Sequence, residues 1–304
     1  MTLPLIFVVG PTSIGKSEIA IKLAKKINGE IVNADSMQVY SELNILTDRP
    51  SLKDQQIIPH HLYGYIKGSN RYNVARWCKD ITKLINKNNN KNIYSIIVGG
   101  TGLYIDKLLN GLADIPKIPE NFKKKSNEAL LKLGNESFYK EVCKIDKSSC
   151  DKISKNDTQR LKRIWEVYQS TNKPLSKWIN DNHFNYFNVL NYKIYLFVPA
   201  KDEIYKRVNK RFINMVKIGA VEEVKKLLLL NLDNTLPVMK AHGVPEITKY
   251  LSGQYNLEEC ISKGQQVTRN YVKRQLTWWR SSKLDFQNIY RDFPNNIDIK
   301  LLNF

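Results

Sequence analysis

The octapeptide Gly-Pro-Thr-Ser-Ile-Gly-Lys-Ser at residues 10–17 constrains this chain most strongly. It follows the apolar run 5–9 and opens a helical pattern over residues 18–27, the strand–loop–helix setting of a phosphate-binding loop. Gly10 and Gly15 allow the backbone to curl until successive N–H groups point inward, and the positive end of the helix dipole falls on the same spot. The sequence therefore predicts that this loop holds a diphosphate or a triphosphate.

The loop residues have different expected roles. Lys16 supplies a cation, and the Ser17 hydroxyl is the predicted protein ligand of a phosphate-bound magnesium ion. At Ser13 and Ile14, the backbone N–H groups are expected to contribute more to phosphate binding than the side chains. The complete predicted diphosphate-binding loop is Gly10, Pro11, Thr12, Ser13, Ile14, Gly15, Lys16 and Ser17.

The ends of two further candidate strands carry polar residues. Most phosphate-loop ATPases place an acid after a second strand, but here the run 94–98 ends in Gly-Gly-Thr-Gly, and the nearest strand-end acid is Asp35, after the run 30–34. One carboxylate favours group transfer from a phosphorylated donor over motor or switch functions. Asp35 could cap a helix or hold magnesium, and the sharper interpretation is a general base near the phosphates. Thr101 is expected beside the reacting atoms, with a tight turn as its alternative.

The net charge of +19, from 48 Lys and Arg against 29 Asp and Glu, predicts a polyanionic partner. A compositional bias towards Lys, Asn and Ile is the competing explanation. No apolar stretch approaches the roughly 18 residues of a membrane span, and no signal peptide is recognisable, so a cytoplasmic protein without a membrane partner is expected. The four scattered cysteines predict neither disulfides nor a zinc site.

The order of apolar runs predicts an α/β fold: a phosphate-loop core with a parallel sheet flanked by helices, plus an inserted all-helical subdomain. Residues 1–115 form the first part of the core, residues 116–189 the lysine-rich insert, and residues 190–304 the second part, beginning with a strand near 191–198. Residues 86–91, Asn-Lys-Asn-Asn-Asn-Lys, are predicted to be a polar loop.

Three basic segments are candidates for anion binding. A helix capped by Asp157 or Thr158 carries Gln159, Arg160 and Arg163 away from its expected buried face. The side chains on that face could bind phosphates or hydrogen-bond a base edge. A basic helix face that is only solvated would have the same sequence pattern. Arg207 and Arg211 lie four apart on one helix face, which suits a diphosphate. Residues 268–280 interleave cations with aromatic side chains, as in segments that bind unstacked bases, but also as in a core helix with a basic exterior.

Seven motifs, in order over nearly the whole chain, resemble the tRNA dimethylallyltransferase family, also called tRNA isopentenyltransferases. They are Gly-Pro-Thr-x-x-Gly-Lys-Ser at 10–17, Asp-Ser-x-Gln-x-Tyr at 35–40, Pro-His-His-Leu at 59–62, Val-Gly-Gly-Thr-Gly-Leu-Tyr at 98–104, Asn-Asp-x-Gln-Arg-Leu-x-Arg at 156–163, Arg-Val-x-x-Arg-Phe-x-x-Met at 207–215 and Arg-Asn-Tyr-x-Lys-Arg-Gln-x-Thr-Trp at 269–278.

The resemblance implies transfer of a dimethylallyl group from its diphosphate to the exocyclic N6 amine of the adenine just 3′ of the anticodon. It implies a magnesium requirement, the tRNA anticodon stem-loop as partner, and no obligate protein partner. By the same resemblance, Arg211 lies opposite the loop at the diphosphate, Asp35 is the base, and Thr101 lies beside the reacting atoms. The residues implied to contact tRNA are Asp35, Ser36, Met37, Gln38, Thr101, Gln159, Arg160, Leu161, Lys162 and Arg163.

Two departures from the family pattern accompany this expectation. Ser13-Ile14 replaces an Ala-Ser pair, and Pro245 lies where many relatives continue a helix. No Cys/His zinc module follows the core, as expected of the bacterial type. The alternatives are a phosphate-loop kinase of a nucleotide or small metabolite, a prenyltransferase acting on free adenine nucleotides, and a non-catalytic RNA-binding module. None of them accounts for both the basic insert and the pairing of Asp35 with Thr101.

Overall fold

A computed structural model describes residues 3–181, 183–185 and 191–302. Its strands are β1 (Leu5–Val9), β2 (Gly29–Asn33), β3 (His60–His61), β4 (Tyr94–Gly99), β5 (Leu112–Ala113), β6 (His183–Phe184), β7 (Tyr192–Phe197) and β8 (Asn288–Tyr290). Its α-helices are α1 (Lys16–Ile27), α2 (Leu52–Ile57), α3 (Val74–Asn90), α4 (Gly102–Asn110), α5 (Glu120–Ile145), α6 (Lys147–Cys150), α7 (Thr158–Thr171), α8 (Leu175–Asp181), α9 (Lys201–Lys217), α10 (Ala220–Leu228), α11 (Val244–Leu251) and α12 (Leu257–Ser281).

The chain divides into two compact units. The larger, called the core unit here, combines Met1–Leu109 with Phe187–Phe304, and the smaller, called the helical unit, is Asn110–Tyr186. Among the described residues, no helix is both long enough and apolar enough to cross a membrane.

The core unit is built on a six-stranded sheet in the order β3-β2-β4-β1-β7-β8. Every neighbouring pair is parallel, for example β1 with β4, where Val8 lies opposite Val98. The central strand β1 is buried along its whole length because helices cover both faces of the sheet, as its uninterrupted apolar sequence predicts. The order places the carboxyl ends of β2, β4 and β1 side by side, and ligands bind at such an edge of a parallel sheet.

The helical unit has its own apolar core. Phe138 and Val142 of α5 pack with Cys150, and with Leu161 and Ile164 of α7. Helix α7 begins as the sequence predicts, because the Asp157 carboxylate accepts a hydrogen bond from the Arg160 amide at 3.1 Å. The insert is not all-helical as predicted, because besides its helices it contains a short antiparallel pair, β5 with β6.

The prediction of a polar loop at residues 86–91 is wrong. Helix α3 continues to Asn90, and Asn88 is buried with its side-chain amide donating to the Ser95 hydroxyl at 3.2 Å. Asparagine has a low intrinsic helix propensity, but a satisfied tertiary hydrogen bond outweighs a few tenths of a kcal/mol per residue.

Candidate active site

The phosphate loop takes the expected strand–loop–helix path from β1 into α1. Gly10 has φ of 145°, and a Cβ added there would lie 2.2 Å from the Phe197 carbonyl oxygen, so the close approach of β7 requires glycine. Gly15 precedes α1 with left-handed dihedrals and offers no side-chain cap. The first amides of α1 are therefore available to an anion. Pro11 and Ile14 are buried and contribute backbone only.

Two cations converge on this loop from different elements. The Lys16 ammonium donates to the Pro11 carbonyl at 2.6 Å. From α9, Arg211 donates to the Thr12 hydroxyl at 2.8 Å and pairs with Asp48 at 2.9 Å. Burial lowers the pKa of Lys16 to about 8; the charge of Asp35 opposes this shift, and that of Arg211 adds to it. A bound diphosphate would stabilise the charged form of Lys16.

Asp35 lies just beyond the end of β2, where a turn orients its carboxylate. Its amide donates to Asn33 Oδ1 at 2.7 Å, and its own Oδ1 accepts from the Met37 amide at 2.8 Å. A longer bond of 3.4 Å comes from the Gln38 amide. Within the described residues, Oδ2 of Asp35 accepts no hydrogen bond, so this oxygen is available to take a proton.

Thr101 follows β4 and is joined to the Asp35 segment. Its hydroxyl oxygen accepts from the Ser36 amide at 3.2 Å, and its amide donates to the Ala34 carbonyl at 3.2 Å. Burial raises the pKa of the Tyr271 phenol of α12, which therefore stays protonated. The structure thus brings Asp35 and Thr101 together at neighbouring strand ends.

Gln275 of α12 ties the phosphate loop to the glycine loop after β4. Its Oε1 accepts from the Thr12 amide at 2.9 Å, and its Nε2 donates to the Gly100 carbonyl at 3.0 Å. The side chain is 5% exposed. No sequence pattern predicts this role for Gln275, because both partners lie more than 170 residues away along the chain.

The prediction of a single carboxylate at the site is wrong. Asp48 and Asp54 line the same cavity as Asp35 and the phosphate loop. The loop before Asp48 is held by Glu223 of α10, whose carboxylate accepts from three successive amides, Asn44, Ile45 and Leu46, at 2.6, 2.8 and 2.9 Å. The same loop is held by Gln38, whose Nε2 donates hydrogen bonds to the Thr47 and Asp48 carbonyls at 2.8 and 2.9 Å.

Two adjoining cavities meet at these residues. The larger, about 540 Å³ and called the phosphate cavity here, follows the phosphate loop. The other, about 250 Å³ and called the apolar cavity, has a wall of Leu46, Val208, Phe212, Met215 and Ala241. Both cavities are lined by Thr12, Asp35, Thr47 and Arg211. The junction is therefore the place where a phosphate-bound group and Asp35 can meet.

The opposite side of the apolar cavity is polar and aromatic. His242 and Tyr271 line it with ring centroids 4.6 Å apart, beside Lys240 and Arg274. Burial, helped by the charge of Arg274, lowers the pKa of His242 to about 4, so this imidazole is neutral near pH 7. The sequence did not single out His242. Helix α11 begins just after it, with Pro245 in the first turn, where proline is tolerated.

Arg207 does not join Arg211 at the phosphate loop, contrary to the predicted pair. Its guanidinium carbon lies 3.5 Å from the centroid of the Phe293 ring, a cation–π contact on the core unit.

The remaining predicted residues, 159–163, lie on α7 of the helical unit. Gln159 and Arg160 are exposed, and Arg160 pairs with Asp157 at 3.3 Å. Lys162 donates to Asn127 at 2.8 Å, and burial lowers the pKa of Arg163. The Leu161 side chain is buried in the core of this unit, so the implied tRNA contact is not available to that side chain. The apolar periodicity of α7 predicts that Leu161 lies on the buried face of the helix. For this side chain the structure agrees with the periodicity and not with the implied tRNA contact.

Ser17, Asp35, Asp48 and Asp54 line the phosphate cavity and supply hydroxyl and carboxylate oxygens. In the part of the chain that the structure describes, no three acidic, histidine or cysteine side chains are grouped to hold a metal ion by themselves, so a magnesium ion here would need substrate phosphates as further ligands. Mg²⁺ is usually held by one or two carboxylates together with substrate phosphates and waters.

These features define a phosphate-loop protein built for group transfer, with an apolar chamber and a carboxylate beside the bound phosphates. Comparison with known proteins identifies the family. The family model described as IPP transferase matches residues 38–282, and the model described as isopentenyl transferase matches residues 1–59. The chain belongs to the IPP transferase family of prenyl-transferring enzymes.

Similar proteins come from several bacteria. A tRNA dimethylallyltransferase of Wolbachia pipientis wMel is 41% identical over 91% of this chain and 92% of that protein. One of Bartonella quintana is 42% identical over 90% of this chain and 92% of that protein. Both relatives are matched over almost their whole length, so the similarity is not confined to the phosphate loop.

Solved structures with the same fold include two of named transferases. The full-length tRNA isopentenylpyrophosphate transferase of Bacillus halodurans has a TM-score of 0.67 at 29% identity, over 98% of this chain and 92% of that one. A eukaryotic dimethylallyltransferase acting on tRNA has a TM-score of 0.74 at 28% identity, over 90% of this chain and 69% of that one. The predicted α/β phosphate-loop fold is confirmed.

The ion pair between Asp48 and Arg211 leads to a prediction about diphosphate affinity. Asp48 is a local anion that competes with diphosphate for Arg211. Asp48→Asn should lower the Kd for inorganic diphosphate about two- to fivefold, a modest change because the carboxylate is 60% exposed. Calorimetric titration measures it, and Glu18→Gln, in the same cavity, is the control for loss of charge. An unchanged or weaker affinity in Asp48→Asn alone would contradict the competition.

Proposed function

We propose that this chain transfers the dimethylallyl group of dimethylallyl diphosphate to the N6 amine of the adenine on the 3′ side of the anticodon in tRNA, releasing diphosphate. The observation that carries the proposal is the shared lining of the two cavities. Thr12 and Arg211 face the phosphates at the same junction where Asp35 faces the apolar cavity. Family membership supports the same reaction.

The donor diphosphate binds along the phosphate loop. The loop amides, the Lys16 ammonium and the Arg211 guanidinium surround its oxygens, where negative charge grows as the allylic C–O bond breaks. Arg211 is already oriented by Thr12, so little reorganisation accompanies the reaction. The dimethylallyl group extends into the apolar cavity, against the wall that includes Val208 and Phe212.

The acceptor amine approaches the junction from the polar side. Its nitrogen lone pair forms the bond to the allylic carbon, the electron pair of the C–O bond leaves with the diphosphate, and Asp35 takes the proton that the amine loses. The Met37 amide fixes one oxygen of Asp35 and leaves the other to act. Thr101 accepts from the Ser36 amide next to this carboxylate, and Tyr271 lines the apolar cavity.

Magnesium is part of the proposal. Ser17 and Asp54 would hold it together with the donor phosphates, and when bound it would neutralise charge on the diphosphate. We also propose Ser36, Met37 and Gln38 as residues near the bound nucleotide, because their backbone is fixed to Asp35 and Thr101.

The helical unit is the proposed tRNA-binding region, through the basic residues of α7, of which Arg160 is exposed and Arg163 is partly buried. Arg160→Ala combined with Arg163→Ala should weaken tRNA binding. The slope of the logarithm of the binding constant against the logarithm of salt concentration should become shallower by about one unit for each phosphate contact that is lost. Filter binding from low to moderate salt measures this slope. Lys140→Ala, in the same unit but on α5, is the matched control. A salt slope that stays at the wild-type value would mean that this α7 face is only solvated.

The test of the reaction uses labelled dimethylallyl diphosphate with either unmodified tRNA or AMP. Label in tRNA supports the proposal, and label in AMP indicates a transferase of free nucleotides. ATP turnover without label transfer indicates a kinase.

A further inference from the structure

Phe212 is one of the residues that line the apolar cavity, and it directly follows Arg211 in the sequence. The residues of α9 that line the cavity are Val208, Arg211, Phe212 and Met215. Their spacing of i, i+3, i+4 and i+7 places them on one face of the helix. That face therefore carries the phosphate-binding guanidinium and, on the adjacent residue, an aromatic ring. A prenyl chain attached to a diphosphate at Arg211 meets Phe212 next.

The Phe212 ring is packed closely against two glycines. A Cβ at Gly264 of α12 would lie 2.0 Å from the ring, and one at Gly243 would lie 3.2 Å from it. Gly264 lies inside α12, where glycine is less favourable than alanine. The space that this glycine leaves is filled by the ring, which is 3% exposed.

We infer that Phe212 sets the length of prenyl chain that the enzyme accepts, limiting the donor to a single isoprene unit. This inference rests on the proposed function. The ring is slightly larger than one isoprene unit, so its removal leaves room next to the cavity for the second unit of geranyl diphosphate. Phe212 is thereby a specificity-determining residue, and its side chain carries no polar atom that could take part in the transfer itself.

The inference is tested with full-length protein, unmodified tRNA and two donors, dimethylallyl diphosphate and geranyl diphosphate. In Phe212→Ala, the ratio of kcat/KM for geranyl over dimethylallyl diphosphate should rise at least tenfold above wild type, because geranyl diphosphate is longer by five carbons and a single methylene in an apolar pocket already changes kcat/KM about 10- to 200-fold. Phe212→Val opens less space, should raise the ratio at least threefold, and decides the question if Phe212→Ala does not fold. The control Ile204→Val, buried on the same helix but not among the residues that line the cavity, should change the ratio less than twofold.

Calorimetric binding of both donors without tRNA gives a readout independent of transfer. Geranyl diphosphate should gain affinity in the Phe212 variants, while inorganic diphosphate should bind as to wild type. An unchanged donor ratio and unchanged binding in a folded Phe212 variant would overturn the inference, as would wild-type protein that uses both donors equally. If wild-type protein transfers neither donor to tRNA, the proposed function fails, and the binding ratios still decide the role of Phe212.

Discussion

Asp35→Asn should reduce kcat about 10²–10⁴-fold, the range typical of a general base. Asparagine keeps an oxygen that can accept from the Met37 amide, so the turn after β2 is preserved while the proton acceptor is lost. Single-turnover transfer of labelled dimethylallyl to tRNA measures the chemical step, and binding of tRNA should change little.

The control for this variant is Glu18→Gln, which removes a carboxylate from the same phosphate cavity and should transfer at nearly the wild-type rate. If Asp35→Asn retained a near-normal rate, Asp35 would have no part in proton transfer, and another group at the junction would have to be the base.

Lys16→Met should lower kcat/KM about 10²–10³-fold, because it removes a cation aimed at the leaving diphosphate. It should also change the pH dependence of donor binding. In the free enzyme the pKa of Lys16 is about 8, and a bound diphosphate raises it, so binding takes up a proton above that pH. Affinity for dimethylallyl diphosphate should therefore fall as the pH rises above 8, approaching tenfold per unit.

Calorimetry between pH 7 and 10 measures this slope, which should vanish in Lys16→Met and persist in Lys22→Met. Lys22 lines the same cavity but is exposed and paired with Glu18 at 2.8 Å. A flat profile for the wild-type enzyme would show that Lys16 remains charged throughout this range.

The features that could be predicted from the sequence are those encoded by short runs of consecutive residues. The apolar runs located β1, β2, β4 and β7 to within a residue or two, and the spacing of glycines, lysine and serine located the phosphate loop. Parallel packing then accounts for the closeness of Asp35 and Thr101, because both follow neighbouring strands. These inferences need only local pattern and one rule of sheet topology.

The features that the sequence could not predict depend on long-range contacts. Asp48 reaches the site because Glu223, 175 positions further along the chain, holds the loop before it. Arg207 resembles Arg211 in sequence spacing, yet it stacks on Phe293, a residue beyond the end of α12. In both cases the residue that determines the position, Glu223 or Phe293, is distant along the chain and belongs to no recognisable sequence motif.

The bridge made by Gln275 has a consequence for variation in this enzyme. The Gln275 side chain hydrogen-bonds both to Thr12 in the phosphate loop, beside the leaving group, and to Gly100 after β4, beside the incoming nucleotide. Any substitution that shifts α12 along the sheet disturbs both halves of the reaction together. Defects in donor use and acceptor use arising on this helix should therefore appear as correlated losses, and mutants impaired in one half-reaction alone should map elsewhere.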